Sequence, residues 1–146
     1  MPLQVELRPH ERIIIGDSLL INGPQRARFT IKGTVPILRE KDIMRPEQAD
    51  TPAKRIYLAV QLMYTSRNPS DHHELYFSLV RDIVQAAPST WPYIEVINNQ
   101  ILTGNLYKAL KESRKLIGYE QELMQHAKRG PGLRKRGKAD LEPARA

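Results

Sequence analysis

Residues 44–64 read MRPEQADTPAKRIYLAVQLMY, and the chain changes character inside them. The first eight, MRPEQADT, have the proline and charge content of a linker. Thr51-Pro52 then supplies an N-cap oxygen and a proline at the first helical position, where the missing N–H costs nothing. Beyond it Ile56, Ala59, Val60 and Met63 recur at helical spacing, while Tyr57, Leu58, Leu62 and Tyr64 cover most of the remaining faces. A helix apolar on nearly every side belongs at the centre of a bundle. Residues before this boundary read as strand, and residues after it as helix.

Upstream, Val5 and Leu7 alternate with Gln4 and Glu6, the pattern of a half-buried strand. Arg12–Ile15 carries a run of three isoleucines ended by Gly16-Asp17, and Ser18–Ile21 runs into Asn22-Gly23, a dipeptide suited to a tight hairpin turn. Pro24 argues against pairing immediately after that turn. Ala27, Phe29 and Ile31 alternate with Arg28, Thr30 and Lys32, which predicts a strand with one apolar and one cationic face. Gly33-Thr34 turns the chain into Val35–Leu38. Four or five short strands are too few to stand without a partner layer, so this module either forms a homodimer or packs on the first helix.

Downstream, Arg67-Asn68-Pro69 ends the first helix, and Ser70 or Asp71 starts a second with Tyr76, Leu79, Val80 and Ile83 as its apolar face. Ser89 or Thr90 caps a short third helix, WPYIEVINNQILT, closed by Gly104. Asn105 opens a fourth, in which Leu106, Ala109, Leu110, Ile117 and Met124 fall at helical spacing. Loops of a few residues imply antiparallel neighbours. The expected fold is therefore α+β: a β module over residues 1–43, a linker over 44–51, a four-helix bundle over 52–129 and a disordered basic tail over 130–146.

The 146 residues carry a net charge of +7, unevenly spread: +2 over residues 1–43, zero over 44–127 and +5 over 128–146. The tail, with Arg134-Lys135-Arg136-Gly137-Lys138, is either a nonspecific phosphate contact or a solvated end. The absence of cysteine excludes disulfides and thiolate metal sites. With no signal-like N-terminus and no run of transmembrane length, the reading is cytoplasmic, with no membrane partner.

Nothing points to catalysis, a cofactor or a metal. The glycines never adopt a phosphate-cradling spacing. His72-His73-Glu74 lacks the second histidine one turn on, where Tyr76 and Phe77 stand, and reads as polar residues of a first helical turn. Trp91, Tyr93 and Tyr119 read as large core residues rather than partner anchors, and Asn98-Asn99-Gln100 as a solvated helix face.

The cations of the β module are the best chemical signal. Arg26, Arg28 and Lys32 alternate with core positions, while Arg8, Arg12, Arg39 and Lys41 lie near strand ends. Arginines on small β modules read single-stranded RNA, because exposed bases stack on guanidinium planes and accept their fork of donors. The same residues equally suit ion pairs with Glu6, Glu11, Asp17 and Glu40. TVPILREKDI (34–43) poses the choice most sharply: Arg39 either reads an anionic partner or closes a salt bridge.

Several long stretches carry a family resemblance: ERIIIGD (11–17), PILREKDIM (36–44), ADTPAKRIYLAVQLMY (49–64), LVRDIVQAAPSTWP (79–92) and INNQILTGNLYKALK (97–111). Together they resemble FlbT, the alphaproteobacterial flagellum-biosynthesis repressor family, over roughly residues 1–127. The resemblance implies a post-transcriptional regulator that associates with the 5′ leader of flagellin mRNA and promotes its decay. Some members act as activators, and a small partner, FlaF, works in opposition or in concert. Residues 8–43 also resemble the carbon-storage-regulator RNA-binding family, with Glu11, Ile15, Gly16, Asp17, Arg39, Glu40 and Ile43 in matching places. His10 stands where that family has Gly, and Leu38 where it has His. By that likeness Arg39 contacts RNA and Arg8 lies near the other contributing strand.

The expected function is thus a non-enzymatic regulator binding the flagellin mRNA 5′ leader through Arg8, Arg12, Arg26, Arg28, Lys32, Arg39 and Lys41. The rival is a protein-binding adaptor for FlaF or flagellin, favoured by the neutral helical region.

Overall fold

The computed structural model describes residues 2–129, so the basic tail lies outside it. Five strands come first: β1 (Leu3–Leu7), β2 (Arg12–Ile15), β3 (Ser18–Ile21), β4 (Ala27–Ile31) and β5 (Ile37–Arg39). Four helices come after them: α1 (Pro52–Thr65), α2 (His73–Ala86), α3 (Trp91–Leu102) and α4 (Leu106–Arg129). The α+β expectation holds.

The strands form two small sheets. β1 pairs antiparallel with β4, and β2 lies between β3 and β5, antiparallel to both. Alternation then divides the side chains as the sequence predicts. Val5 and Leu7 meet Ile13 in a buried cluster between the sheets, edged by Ile15, Phe29, Ile31 and Ile37. The other face of the three-stranded sheet turns to the helices, burying Leu38 and half-burying Ile14 against their core. Packing on the helical core, one of the two routes expected, covers part of the isoleucine run within one chain.

The hairpin turn is not where Asn22-Gly23 suggests. Gly16-Asp17 closes β2 onto β3, with Ile15 opposite Ser18 and Gly16 at φ +65°, the left-handed residue such a turn needs. β3 and β4 lie in different sheets. Asn22 acts through its side chain instead, its amide donating to the carbonyls of Leu7, Arg8 and Gln25 at 3.3, 2.8 and 2.9 Å. That clamps the chain where it crosses from one sheet to the other.

α1 is the central helix, with Ile56, Ala59, Val60 and Met63 fully buried. Thr51 caps it as expected, accepting from the Lys54 N–H at 3.3 Å. A second cap comes from α4, where buried Glu120 accepts from the Thr51 hydroxyl at 2.6 Å and the Ala53 N–H at 2.9 Å. A carboxylate suits these orphan donors at the positive end of the helix dipole. α1 also holds the strands: the Tyr64 hydroxyl bonds both the N–H and the carbonyl of Ile37, at 3.4 and 3.3 Å. Gln61 bonds the Met44 N–H and carbonyl at 2.7 and 3.1 Å, which pins the start of the 44–51 segment.

Three expectations are corrected. Trp91 is 46% exposed rather than core, because it opens α3 about one turn ahead of the buried Ile94 and Ile97. Asn98 is not simply solvated, since it accepts from the Tyr76 hydroxyl at 2.6 Å. Met124 is 49% exposed, because α4 runs 24 residues against 14 for α1 and overshoots the bundle.

Candidate nucleic-acid interface

The four charges of REKDI have four different fates. Among the described residues, the side chain of Arg39, at the exposed end of β5, donates only to the Gln4 carbonyl at 3.4 Å, while Glu6 pairs with Arg26 instead. Glu40 turns inward and accepts the Arg12 N–H at 2.7 Å. Lys41 is exposed. Asp42 is buried and holds Arg114 of α4 at 2.9 Å, with Lys111 at 3.8 Å. Arg114 also donates to the Tyr57 hydroxyl at 3.0 Å, and that hydroxyl donates to the Asp42 carbonyl. Burial raises the Tyr57 pKa despite the neighbouring guanidinium, so the hydroxyl keeps its proton for that bond. The structural ion pair of this stretch is Asp42's. Arg39 is left available.

Beside it lies an open groove of about 560 Å³, bounded by the β1–β2 turn, the 3₁₀ turn at Glu40–Asp42 and the segment entering α1. Its lining includes Arg8, His10, Arg12, Lys41 and Arg45, with Glu40 the only carboxylate among them. Two local features aim these cations together. His10 adopts φ +63° and its N–H bonds the Gly23 carbonyl at 2.9 Å, folding β1 back to β2. The β2–β5 pairing, with Ile13 opposite Arg39, then brings Arg12 beside the turn that carries Lys41.

The groove's neighbours restrain its cations only lightly. Arg8 pairs with Glu11 at 3.4 Å and Arg45 with Glu47 at 3.6 Å, and in each pair the arginine is about half or more exposed. Such surface pairs are worth little and yield readily to a phosphate. Glu11 accepts the Arg8 N–H at 2.8 Å, and this bond, aided by the Arg8 and Arg39 charges, holds its pKa below the usual 4.5. The turn should accordingly keep this support above pH 4.5 and lose it as the pH falls through the lowered value. A carboxyl titration by NMR should place the Glu11 midpoint under 4.5; a midpoint at or above it would mean the turn is not held this way.

The other candidates lie elsewhere. Arg28 stands opposite Glu6, and with Arg26 and Lys32 it occupies the outer face of the β1–β4 sheet. The seven cations thus split, with Arg8, Arg12 and Lys41 in the groove, Arg39 in a hollow that shares Lys41 with it, and three on the outer sheet. His73, of the discounted metal-like motif, sits edge-on to Phe77 at 6.3 Å.

Residues not singled out from sequence complete the surface. Arg45 lines the groove, and a second hollow joins Arg39 and Lys41 to Tyr64, Tyr107 and Lys111. Tyr107 lies 5.6 Å from Tyr64 and has the Lys111 ammonium 5.0 Å from its ring centre. The spacing of Tyr107 and Lys111, one helical turn apart, was the available signal.

Known proteins match most of this chain. Residues 3–124 match the family described as Flagellar protein FlbT. The chain belongs to the FlbT family. The seven candidate cations and Arg45 fall inside that match. The "Probable flagellum biosynthesis repressor protein FlbT 1" of Bradyrhizobium diazoefficiens is 64% identical over 124 residues, covering 84% of this chain and 85% of its own. The FlbT protein of Rhodopseudomonas palustris, with the same probable-repressor name, is 51% identical over 85% of this chain and 98% of its own. The "Flagellum biosynthesis repressor protein FlbT" of Caulobacter vibrioides is 32% identical over 89% of this chain and 94% of its own. No solved structure matches. No helix among the described residues is long and apolar enough to cross a membrane.

Proposed function

We propose that this FlbT-family chain represses flagellum biosynthesis after transcription, by holding the 5′ leader of flagellin mRNA and so promoting its decay or blocking its translation. The role in flagellum synthesis rests on the repressor names of its relatives. The RNA assignment is carried by one observation: the groove that gathers Arg8, Arg12, Lys41 and Arg45 around a single carboxylate already committed to a backbone N–H. Phosphates of a single strand fit such a groove, since each neutralised phosphate releases counterions. The protein acts here by occupancy, with no reaction of its own.

The test is the salt dependence of binding to labelled flagellin leader RNA. Three or four phosphate contacts predict a slope of log K against log salt of about −2 to −3. Absent binding, or binding indifferent to salt, would sink the proposal. Within the same assay, Arg39→Ala should cost about 1–3 kcal/mol of binding with stability nearly unchanged, because its one side-chain bond among the described residues is a long one at an exposed edge. Arg39→Lys should bind poorly too, as lysine keeps the charge and loses the planar fork.

A second reading has its own observation. β3 is an edge strand whose Leu19, Leu20 and Ile21 are 51, 43 and 61% exposed, with no charge within the strand to deter pairing. An adaptor for a FlaF-like protein, for flagellin or for a second copy of the chain would use that edge. Charged substitutions at Leu19 and Ile21 that abolish partner binding and spare RNA binding would favour it.

A further inference from the structure

The hollow beside the groove has a composition that phosphate binding alone does not explain. One wall is aromatic: Tyr107 is 41% exposed, and Tyr64 stands 5.6 Å away with its plane tilted by 45°. The Tyr64 hydroxyl is fixed on the Ile37 backbone, so its ring is immobilised and supports its neighbour. Val35, half exposed, contributes an apolar patch. Three cations complete the lining: Arg39 and Lys41 from the strand side, Lys111 from α4. The one carboxylate present, Asp42, is paired with Arg114 at 2.9 Å and holds Lys111 only at 3.8 Å.

The other exposed or half-exposed aromatics lack this combination. Tyr93 and Tyr119 stack on each other at 4.8 Å, and the Tyr119 hydroxyl is tied to Ser89. Trp91 has no cation over its ring among the described residues.

We infer that this hollow seats one base of single-stranded RNA on the Tyr107 ring, with Arg39, Lys41 and Lys111 taking the flanking phosphates. The inference rests on the RNA reading above and adds to it a site and a chemistry. A base offers flat apolar faces to an aromatic platform, and its backbone offers an anion on either side. Lys111 now sits against the ring, but its stem is flexible and its side chain 43% exposed, so it moves to a phosphate as the base enters. Lys41 lines both the groove and the hollow, which makes them one track for adjoining nucleotides. Because stacking tolerates any base, the site supplies affinity with little sequence preference.

The experiment compares wild type, Tyr107→Ala and Tyr107→Phe for binding to flagellin leader RNA and to a short oligouridylate across a salt series. Tyr107→Ala should lower affinity for both about tenfold with the salt slope unchanged, because it removes stacking and no charge. Tyr107→Phe should keep the affinity to within about twofold. Oligouridylate carrying 4-thiouridine, irradiated on the wild-type protein, should cross-link to the peptide containing Tyr107, independently of how the variants fold. Wild-type affinity in the alanine variant, or cross-links confined to other peptides, would overturn the stacking site while leaving the groove intact. An alanine variant that keeps RNA and loses a FlaF-like protein would make the hollow a protein site and overturn the inference. A wild-type protein that binds neither RNA overturns the RNA reading itself.

Discussion

Leu38→Ala should destabilise the whole protein by about 2–5 kcal/mol, a core truncation at a site with no exposure to lose. Among the described residues Leu38 is the one fully buried side chain that the strands give to the helical core, where it joins Ile56, Val60 and the rest of that cluster. Its backbone is fixed on both sides, by β2 through the pairing with Ile14 and by Tyr64 through the neighbouring Ile37. The strand therefore has little freedom to collapse into the void, which places the cost high in the range. Urea unfolding monitored by helical circular dichroism should show one transition moved to lower urea, although the substitution lies in a strand. Helices that melt at the wild-type concentration would show that the β module is energetically separate from the bundle. Ile13→Ala supplies the comparison, since Ile13 is equally buried but in the cluster between the sheets.

Much of this architecture is legible in the sequence, and the illegible parts have a common cause. Thr51-Pro52 announces α1 because capping is a local interaction within four residues. The Glu120 cap on the same helix end comes from 69 positions away and leaves no local trace. Asn22-Gly23 is a genuine turn dipeptide, but Gly16-Asp17 already closes the hairpin, and Asn22 is used for its amide. Helical spacing marks α3 as a helix and says nothing of whether Trp91, at its start, lies under a neighbour as Ile94 and Ile97 do. In the candidate site the alternation along β4 is readable, so the cationic outer face is too. The convergence of Arg8, Arg12, Lys41 and Arg45 depends on a left-handed turn at His10 and on pairing between strands far apart in sequence. Arg39 and Asp42 look interchangeable as charges in REKDI. Only the position of α4 decides that Asp42 is the paired one.

The split of the seven cations carries the largest expected effect on binding. Neutralising Arg12, Arg39 and Lys41 together, each to Gln, should flatten the salt slope by about 2 and weaken leader RNA binding roughly a hundredfold at 0.1 M salt, from about 0.7 of slope per phosphate contact. The fold should survive. Arg12 serves the structure through its backbone N–H, Arg39 through one long bond, and Lys41 forms no ion pair among the described residues. The matched control is Arg28→Gln with Lys32→Gln, which removes two charges from the outer face of the β1–β4 sheet. If the RNA runs along the groove, the control changes affinity only through its general effect on the field, and the slope stays near that of wild type. Equal losses from both sets would mean that the module attracts RNA by net charge alone, without a track. A loss in the control and none in the triple variant would move the interface to the outer sheet, and the groove with its neighbouring hollow would then need another ligand. Retained binding in both, with partner protein binding lost on substitution along β3, leaves the adaptor reading standing and makes the exposed leucines the functional surface.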